Sequence, residues 1–335
     1  MVSICKNKIF VLSVLCGALL LAYVLTFIFN PEISAARGSF WAALAPGAKD
    51  AAQRIELSGE EKVELIRKNG RWFVNFEDSL YPARQTKVND MLDALSQRAP
   101  YPIRSRSEAA QEKLLLTAGE AQRIVISGEN DSPLLDLLVG ASDVTLKDVY
   151  IRLSDSKEIR SGSDVFSSFF GSRQSWYDLR LFPEHDAEGL TLSSVQRVIA
   201  LPPPPEILSV APDGEDMPTD YSLEAYTLVR EEGGWKIEGS GEEADTRSVE
   251  AYIRGILDCE ANDFASAFSA NDEAFTTSPA GRLVLEINDG SRRVVTIGPS
   301  FADKRAAAIS GSPYVYLLME WQLSRLFQSP PLATK

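Results

Sequence analysis

Apolar and polar residues alternate from Arg54 to Ser58, with Ile55 and Leu57 set between Arg54, Glu56 and Ser58. A period of two predicts a strand with one buried face. Val63 to Arg67 predicts a second strand, and Trp72-Phe73-Val74 the strand that returns from it. Between them stands Asn69-Gly70, a dipeptide that accepts the positive φ angles of a tight hairpin turn. Val88, Met91, Leu92 and Leu95 then fall at i, i+3, i+4 and i+7, one apolar face of a helix. A linking stretch runs from Pro100 to Thr117. Beyond it, Arg123-Ile124-Val125-Ile126 and the apolar run Leu134 to Val139 predict strands, with a polar turn from Gly128 to Ser132 between them and Gly140 at the end. Val149-Tyr150-Ile151 and Lys157-Glu158-Ile159 predict a hairpin, and Val165 to Phe170 a short closing helix.

The same order of patterns returns about 160 residues later, a spacing too long for a solenoid and suited to two domains. Val195 to Leu201 predicts the opening strand. Leu223 to Arg230 and Trp235-Lys236-Ile237 make a hairpin around Gly233-Gly234. Val249, Tyr252, Ile253 and Ile256 repeat the helical face, and Asp245 is placed to cap its free N–H groups. Arg282-Leu283-Val284-Leu285 answers Arg123-Ile124-Val125-Ile126, and Gly298 answers Gly140. Tyr314-Val315-Tyr316 and Trp321 to Phe327 close the copy. The second copy carries an insertion, with Pro202-Pro203-Pro204-Pro205 and the acids Asp213, Glu215, Asp216 and Asp220. Strands joined by short turns run antiparallel, so the expected class is α+β: two tandem related domains of antiparallel hairpins, with amphipathic helices on one face. The repeats are expected over residues 54–188 and 189–329, with a tail at 330–335 and Trp72 equivalent to Trp235.

Ahead of the repeats, Ile9 to Phe29 is a run of 21 residues without a charge. As a helix it spans the roughly 30 Å hydrocarbon core of a bilayer. Residues 1–8 would be a cytoplasmic tail, because Lys6 and Lys8 flank the run on that side. The rest of the chain would then lie outside the cytoplasm, after a juxtamembrane linker at residues 30–53. A signal peptide cleaved near Ser34-Ala35-Ala36 is the competing reading. The length of the run favours an uncleaved anchor, since signal-peptide cores are about 7–15 residues long. Trp41 is either an interfacial ring or the first packed residue of the domain.

Charge and composition narrow the function. The net charge is −13, with residues 50–188 and 189–335 both acidic. Such surfaces repel nucleic acid and anionic headgroups. Of the three cysteines, Cys5 and Cys16 lie before or within the apolar run, and Leu15 is a poor neighbour for lipidation of Cys16. Cys259 is left without a disulfide partner in the exported part and reads as a packed residue. His185 is the single histidine, so any Ser–His, Cys–His or multi-His design must use it. It stands among Glu184, Asp186 and Glu188, either as a metal or acid–base cluster or as a solvated linker. The acids after Asp213 lack the calcium-loop spacing. Glu231-Glu232 and Glu242-Glu243 read as solvated turn residues, and Gly239-Ser240-Gly241 lacks the Lys of a phosphate loop. Trp72 and Trp235 read as core residues, with a ligand groove as the alternative. Tyr314 and Tyr316 place two rings on one strand face, for packing or for a partner. No catalytic, cofactor-binding or metal-binding residue is assigned, and no cofactor is expected.

Gly70-Arg71-Trp72, Pro82-Ala83, Leu138-Val139-Gly140 and Val149-Tyr150-Ile151 in the first copy carry a resemblance. Gly234-Trp235, Ala244-Asp245, Thr296-Ile297-Gly298 and Tyr314-Val315-Tyr316 carry it in the second. Together with the apolar run, these motifs resemble the bacterial family catalogued as domain of unknown function 4340. The resemblance implies an extracytoplasmic partner of ABC-type export systems related to gliding-motility transporters, whose ATPase and permease would be its partners in the inner membrane. It implies an accessory role and supplies no catalytic residue. A module binding envelope glycan is the alternative, and would need an aromatic-lined cleft. A hydrolase built on His185 is a third reading.

Overall fold

The computed structural model describes residues 16–21, 23, 40–183, 185–204 and 224–332. It divides into two compact units between Tyr177 and Asp178. Of the expected membrane segment, residues 16–21 and 23 are described and helical, and the remainder lies outside the described residues. Among the described residues, no helix is long and apolar enough to cross a membrane. The cytoplasmic tail and most of the acidic insertion likewise lie outside the described residues.

The first unit runs through β1 (Phe40–Trp41), α1 (Ala48–Ala51), β2 (Arg54–Ser58), β3 (Lys62–Lys68), β4 (Arg71–Phe76), β5 (Ser79–Pro82) and α2 (Gln85–Ser96). It continues with β6 (Ala99–Pro100), β7 (Ile103–Ser105), α3 (Glu108–Lys113), β8 (Gln122–Ser127), β9 (Pro133–Ser142), β10 (Asp148–Leu153), β11 (Ile159–Ser163) and a 3-10 turn at Asp164–Phe169. The second unit contains β12 (Val195–Leu201), β13 (Tyr226–Glu231), β14 (Gly234–Ile237), β15 (Glu243–Ala244), α4 (Thr246–Leu257) and β16 (Asp263–Phe264). After these come α5 (Glu273–Thr276), β17 (Gly281–Ile287), β18 (Arg292–Phe301), β19 (Lys304–Ile309), β20 (Val315–Leu318) and α6 (Glu320–Leu326).

Each unit holds a nine-stranded sheet. The first has the order β5-β4-β3-β2-β8-β9-β10-β11-β7, and the second β15-β14-β13-β12-β17-β18-β19-β20-β16. Position by position, the two orders are the same. The strands pair antiparallel, as the hairpin turns require. The units also close alike. Ala83 bridges Tyr177 and Arg84 N–H donates to Trp176 O, while Ala244 bridges Leu332 and Asp245 N–H donates to Pro331 O.

The helical faces bury the residues that their period selects: Val88, Met91, Leu92 and Leu95 on α2, and Val249, Tyr252, Ile253 and Ile256 on α4. One expectation is corrected. The helices do not keep to one face of each sheet. Successive strand residues point to opposite faces, yet Leu137, Leu138 and Val139 are all buried, as are Ala306, Ala307 and Ala308. A second small core therefore covers the back of each sheet's far half. In the first unit Leu116, Leu138 and Ile159 form it with Ala110 and Leu114 at α3. In the second, Phe275 of α5 packs with Ala306, Ala308, Val315 and Leu317. Uninterrupted apolar strands are the sequence counterpart of burial on both faces.

Gly140 and Gly298 do not end their strands as expected. Each sits in a β-bulge: two residues, Gly140-Ala141 or Gly298-Pro299, face a single residue of the next strand. A Cβ on Gly140 would overlap the carbonyl oxygen of Leu114, and one on Gly298 the ring of Phe275. The bulge thus lets the second core approach the sheet.

The stretch 178–188, placed in the first repeat by sequence, belongs to the second unit. Leu181 N–H donates to Cys259 O, and Ala261 N–H to Leu179 O. These backbone bonds are long-range in sequence, so no local pattern announces them.

Candidate functional site

Trp72 and Trp235 are each 3% exposed. Trp72 lies directly across from Arg67 on β3, and Trp235 across from Arg230 on β13. Both guanidinium groups lie over the indole rings, 5.9 and 5.8 Å from the centroids. The two tryptophans therefore hold equivalent positions, each covered by a cation on its outer side. They contribute packing area and line no open groove. Gln85 stitches α2 to this point: its side-chain carbonyl accepts from Trp72 N–H, and its amide donates to Trp72 O and Ala83 O.

His185 lies in the second unit. Its Nδ1 is 3.1 Å from Leu190 O and 3.4 Å from Asp186 Oδ1, and its Nε2 is 4.0 Å from Asp258 Oδ1. Both carboxylates are mostly exposed. A backbone carbonyl and two solvated acids fix no ligand geometry. Among the described residues, no group of three or more His, Cys, Asp or Glu is placed to hold a metal ion. Glu231 pairs with Lys236 at 2.7 Å, an exposed surface contact. Glu184 and the acids from Asp213 to Asp220 lie outside the described residues.

Cys259 is fully buried, and burial pushes its thiol up to about 11. A thiol in that state is protonated at neutral pH and a poor nucleophile. Tyr316 is buried and Tyr314 half-buried, and Phe264 packs against both at 5.1 and 5.5 Å between ring centroids. Trp41 is half-buried rather than free at an interface. Its ring meets Tyr101 edge-on at 6.0 Å, and the Arg160 guanidinium lies over it at 5.1 Å.

Two polar networks carry no signal in the local sequence. Tyr226 Oη donates to Gln328 O at 2.8 Å, and Tyr252 Oη to Leu326 O at 2.6 Å. Leu326 is the last residue of α6, whose carbonyl has no partner within the helix, and Gln328 lies two residues beyond it, so the two phenols tie down the helix end and the chain that leaves it. Burial pushes the Tyr226 phenol up to about 12, and that of Tyr252 well above the usual tyrosine range. In the first unit, the Lys87 ammonium lies 4.3 Å from the centre of the Trp176 ring and donates to Ser175 O and Oγ. Partial burial, and then the neighbouring Arg84, lower its pKa.

Among the described residues, the candidates of the sequence are thus dispersed and absorbed into packing, caps and surface pairs. What remains unabsorbed is apolar and exposed. Val144 and Leu146, at the tip of the β9–β10 hairpin, are 101% and 73% exposed.

Comparison with known proteins agrees with this picture of a fold without an assigned chemistry. No solved structure matches the chain. An uncharacterized protein of Treponema pallidum (strain Nichols) is 22% identical over 132 residues, which is 39% of this chain and 42% of that protein. The chain therefore aligns with less than half of that relative's length. The model of the family described as "Domain of unknown function (DUF4340)" matches residues 72–279. That single match begins in β4 of the first sheet, ends just before β17 of the second, and covers more than half of the sequence. By that match, the chain belongs to the DUF4340 family.

Proposed function

We propose that the chain consists of two copies of one folding unit, held outside the cytoplasm by the apolar segment at residues 9–29. In this reading it serves an ABC-type export or gliding-type transporter complex as a non-catalytic interaction subunit. The observation that carries the reading is the fate of the shared signature. The residues that the copies have in common, Trp72 with Arg67 and Trp235 with Arg230, are spent on packing at equivalent register positions. What such units offer a partner is surface. The duplication is supported by two sheets of one strand order, two bulges at Gly140 and Gly298, and two closures beside Ala83 and Ala244.

The test is affinity purification of the full chain in mild detergent from the cells that make it. A transporter ATPase and its permease should co-purify in fixed proportion. Recovery of the chain alone, even after cross-linking, would overturn the transporter reading. His185→Ala should leave export unchanged, because its contacts are a backbone carbonyl and two solvated acids.

A further inference from the structure

The β9–β10 and β18–β19 hairpins hold the same place in their sheets. Their tips share two features. Each exposes large apolar residues, and each contains a non-glycine residue in the left-handed region. In the first unit these are Val144 and Leu146, with Leu146 at φ 57°. In the second they are Phe301, which rests edge-on against the Phe268 ring at 6.0 Å and is still 48% exposed, and Ala302 at φ 54°. From residue 40 onward, Val144 and Leu146 are the most exposed large apolar side chains among the described residues.

The first tip is held in shape from within. The Asp143 carboxylate accepts from the N–H groups of Thr145 and Lys147 at 3.1 and 3.2 Å, and Asp143 N–H donates to Asp148 O. This ordering keeps Val144 and Leu146 in water. Leu146 pays for it with a backbone conformation that bulky residues avoid. The closing element adds to the same end of each sheet. Asp148 at the start of β10 pairs with Ser163 at the end of β11, so the turn that follows begins beside the tip, and Val165 on it is 39% exposed. In the second unit Arg305 pairs with Leu318, which places the start of α6 beside its tip, and Trp321 there is 50% exposed.

We infer that these hairpin tips, Val144 and Leu146 in the first unit and Phe301 in the second, are docking elements that insert into an uncharged apolar cleft of a partner protein. Charge selects a protein over a lipid surface. Membrane-seated apolar residues are ringed by surplus Lys and Arg that hold headgroups. Here Lys147 stands between Asp143 and Asp148, and Lys304 beside Asp303, while Arg305 is buried and donates to Pro204 O, so neither tip exposes surplus positive charge, and the chain as a whole carries −13. The inference rests on the reading of the chain as an interaction subunit, though not on which protein the partner is.

The experiment uses the full chain in the cells that make it, with photoreactive benzoylphenylalanine placed singly at Val144, at Phe301, or at Glu129 as control. Glu129 lies in the β8–β9 turn, at the opposite end of the sheet. The Val144 and Phe301 probes should give adducts with a polypeptide whose cross-linked peptide is apolar and free of charged residues. The Glu129 probe should not. Leu146→Gly separates docking from folding. Glycine relieves the left-handed strain, so the thermal midpoint should hold or rise, while the Val144 adduct falls about tenfold through loss of an anchor side chain. Four results overturn the inference: lipid adducts, adducts with a second copy of this chain, yields no higher than at Glu129, or an adduct indifferent to Leu146→Gly. Flotation of the chain on phosphatidylcholine vesicles lost in Leu146→Gly also overturns it. A polypeptide adduct that is neither permease nor ATPase leaves the tips as docking elements and removes the transporter reading.

Discussion

Gly140 and Gly298 are required by space rather than by turn geometry, since neither has a positive φ. What each would strike differs. An added Cβ at Gly140 meets a backbone carbonyl, that of Leu114, whereas at Gly298 it meets the Phe275 ring, which can turn aside. Gly140→Ala should therefore cost about 2–3 kcal/mol and Gly298→Ala about 1 kcal/mol. Urea unfolding would resolve the two, as a shift of midpoint at constant slope. Equal losses would mean that the second core yields alike in both units. The positions themselves were legible, because both glycines follow an apolar strand. Their role was not, because the overlapping atoms come from α3 and α5, segments distant in sequence.

At the scale of elements, α2 and α4 were readable from their apolar period, and the cap of α4 from its sequence: Asp245 Oδ2 accepts from Ser248 N–H at 2.9 Å. The short elements were not readable. β7 and β16 have three and two residues, too few to show a period, and they exist because β11 and β20 offer an edge to pair with. The end of α6 depends on Tyr226 and Tyr252, whose partners lie 102 and 74 residues away. These bonds predict an alkaline limit. The Tyr226 phenol is pushed up to about 12 in the fold, from an ordinary value near 10. A raised value means that the neutral form is favoured by folding. Its contribution is complete below about pH 10 and is lost as pH rises towards about 12. Tyr226→Phe should cost about 1 kcal/mol at pH 7, through the lost bond to Gln328 O, and should flatten the fall in stability above pH 10. Thermal melts across pH 8–12 would show it; parallel curves for the two proteins would contradict it.

Over the whole molecule, the division after Tyr177 gives each unit its own sheet and its own core. A first unit that closes on itself through the Ala83–Tyr177 bridge should fold alone. Residues 40–177, expressed by themselves, should unfold in one cooperative transition. A noncooperative melt would show that the unit needs the rest of the chain. Within that transition, Trp72→Ala should cost about 3–5 kcal/mol as a truncated core aromatic.

The sequence by itself determined what repeats along the chain: two hairpin-and-helix patterns, two tryptophans after their turns, two glycines after apolar strands, and a charge-free run ahead of them. Local periods encode which side of an element is apolar, and that information needs no partner. The tertiary structure alone decided what those sides meet. It placed a second core behind each sheet, assigned residues 178–188 to the second unit, bent the strands at Gly140 and Gly298, and left Val144 and Leu146 uncovered. Each of these depends on contacts between residues far apart in sequence, which burial and strand pairing select together and which no local pattern contains.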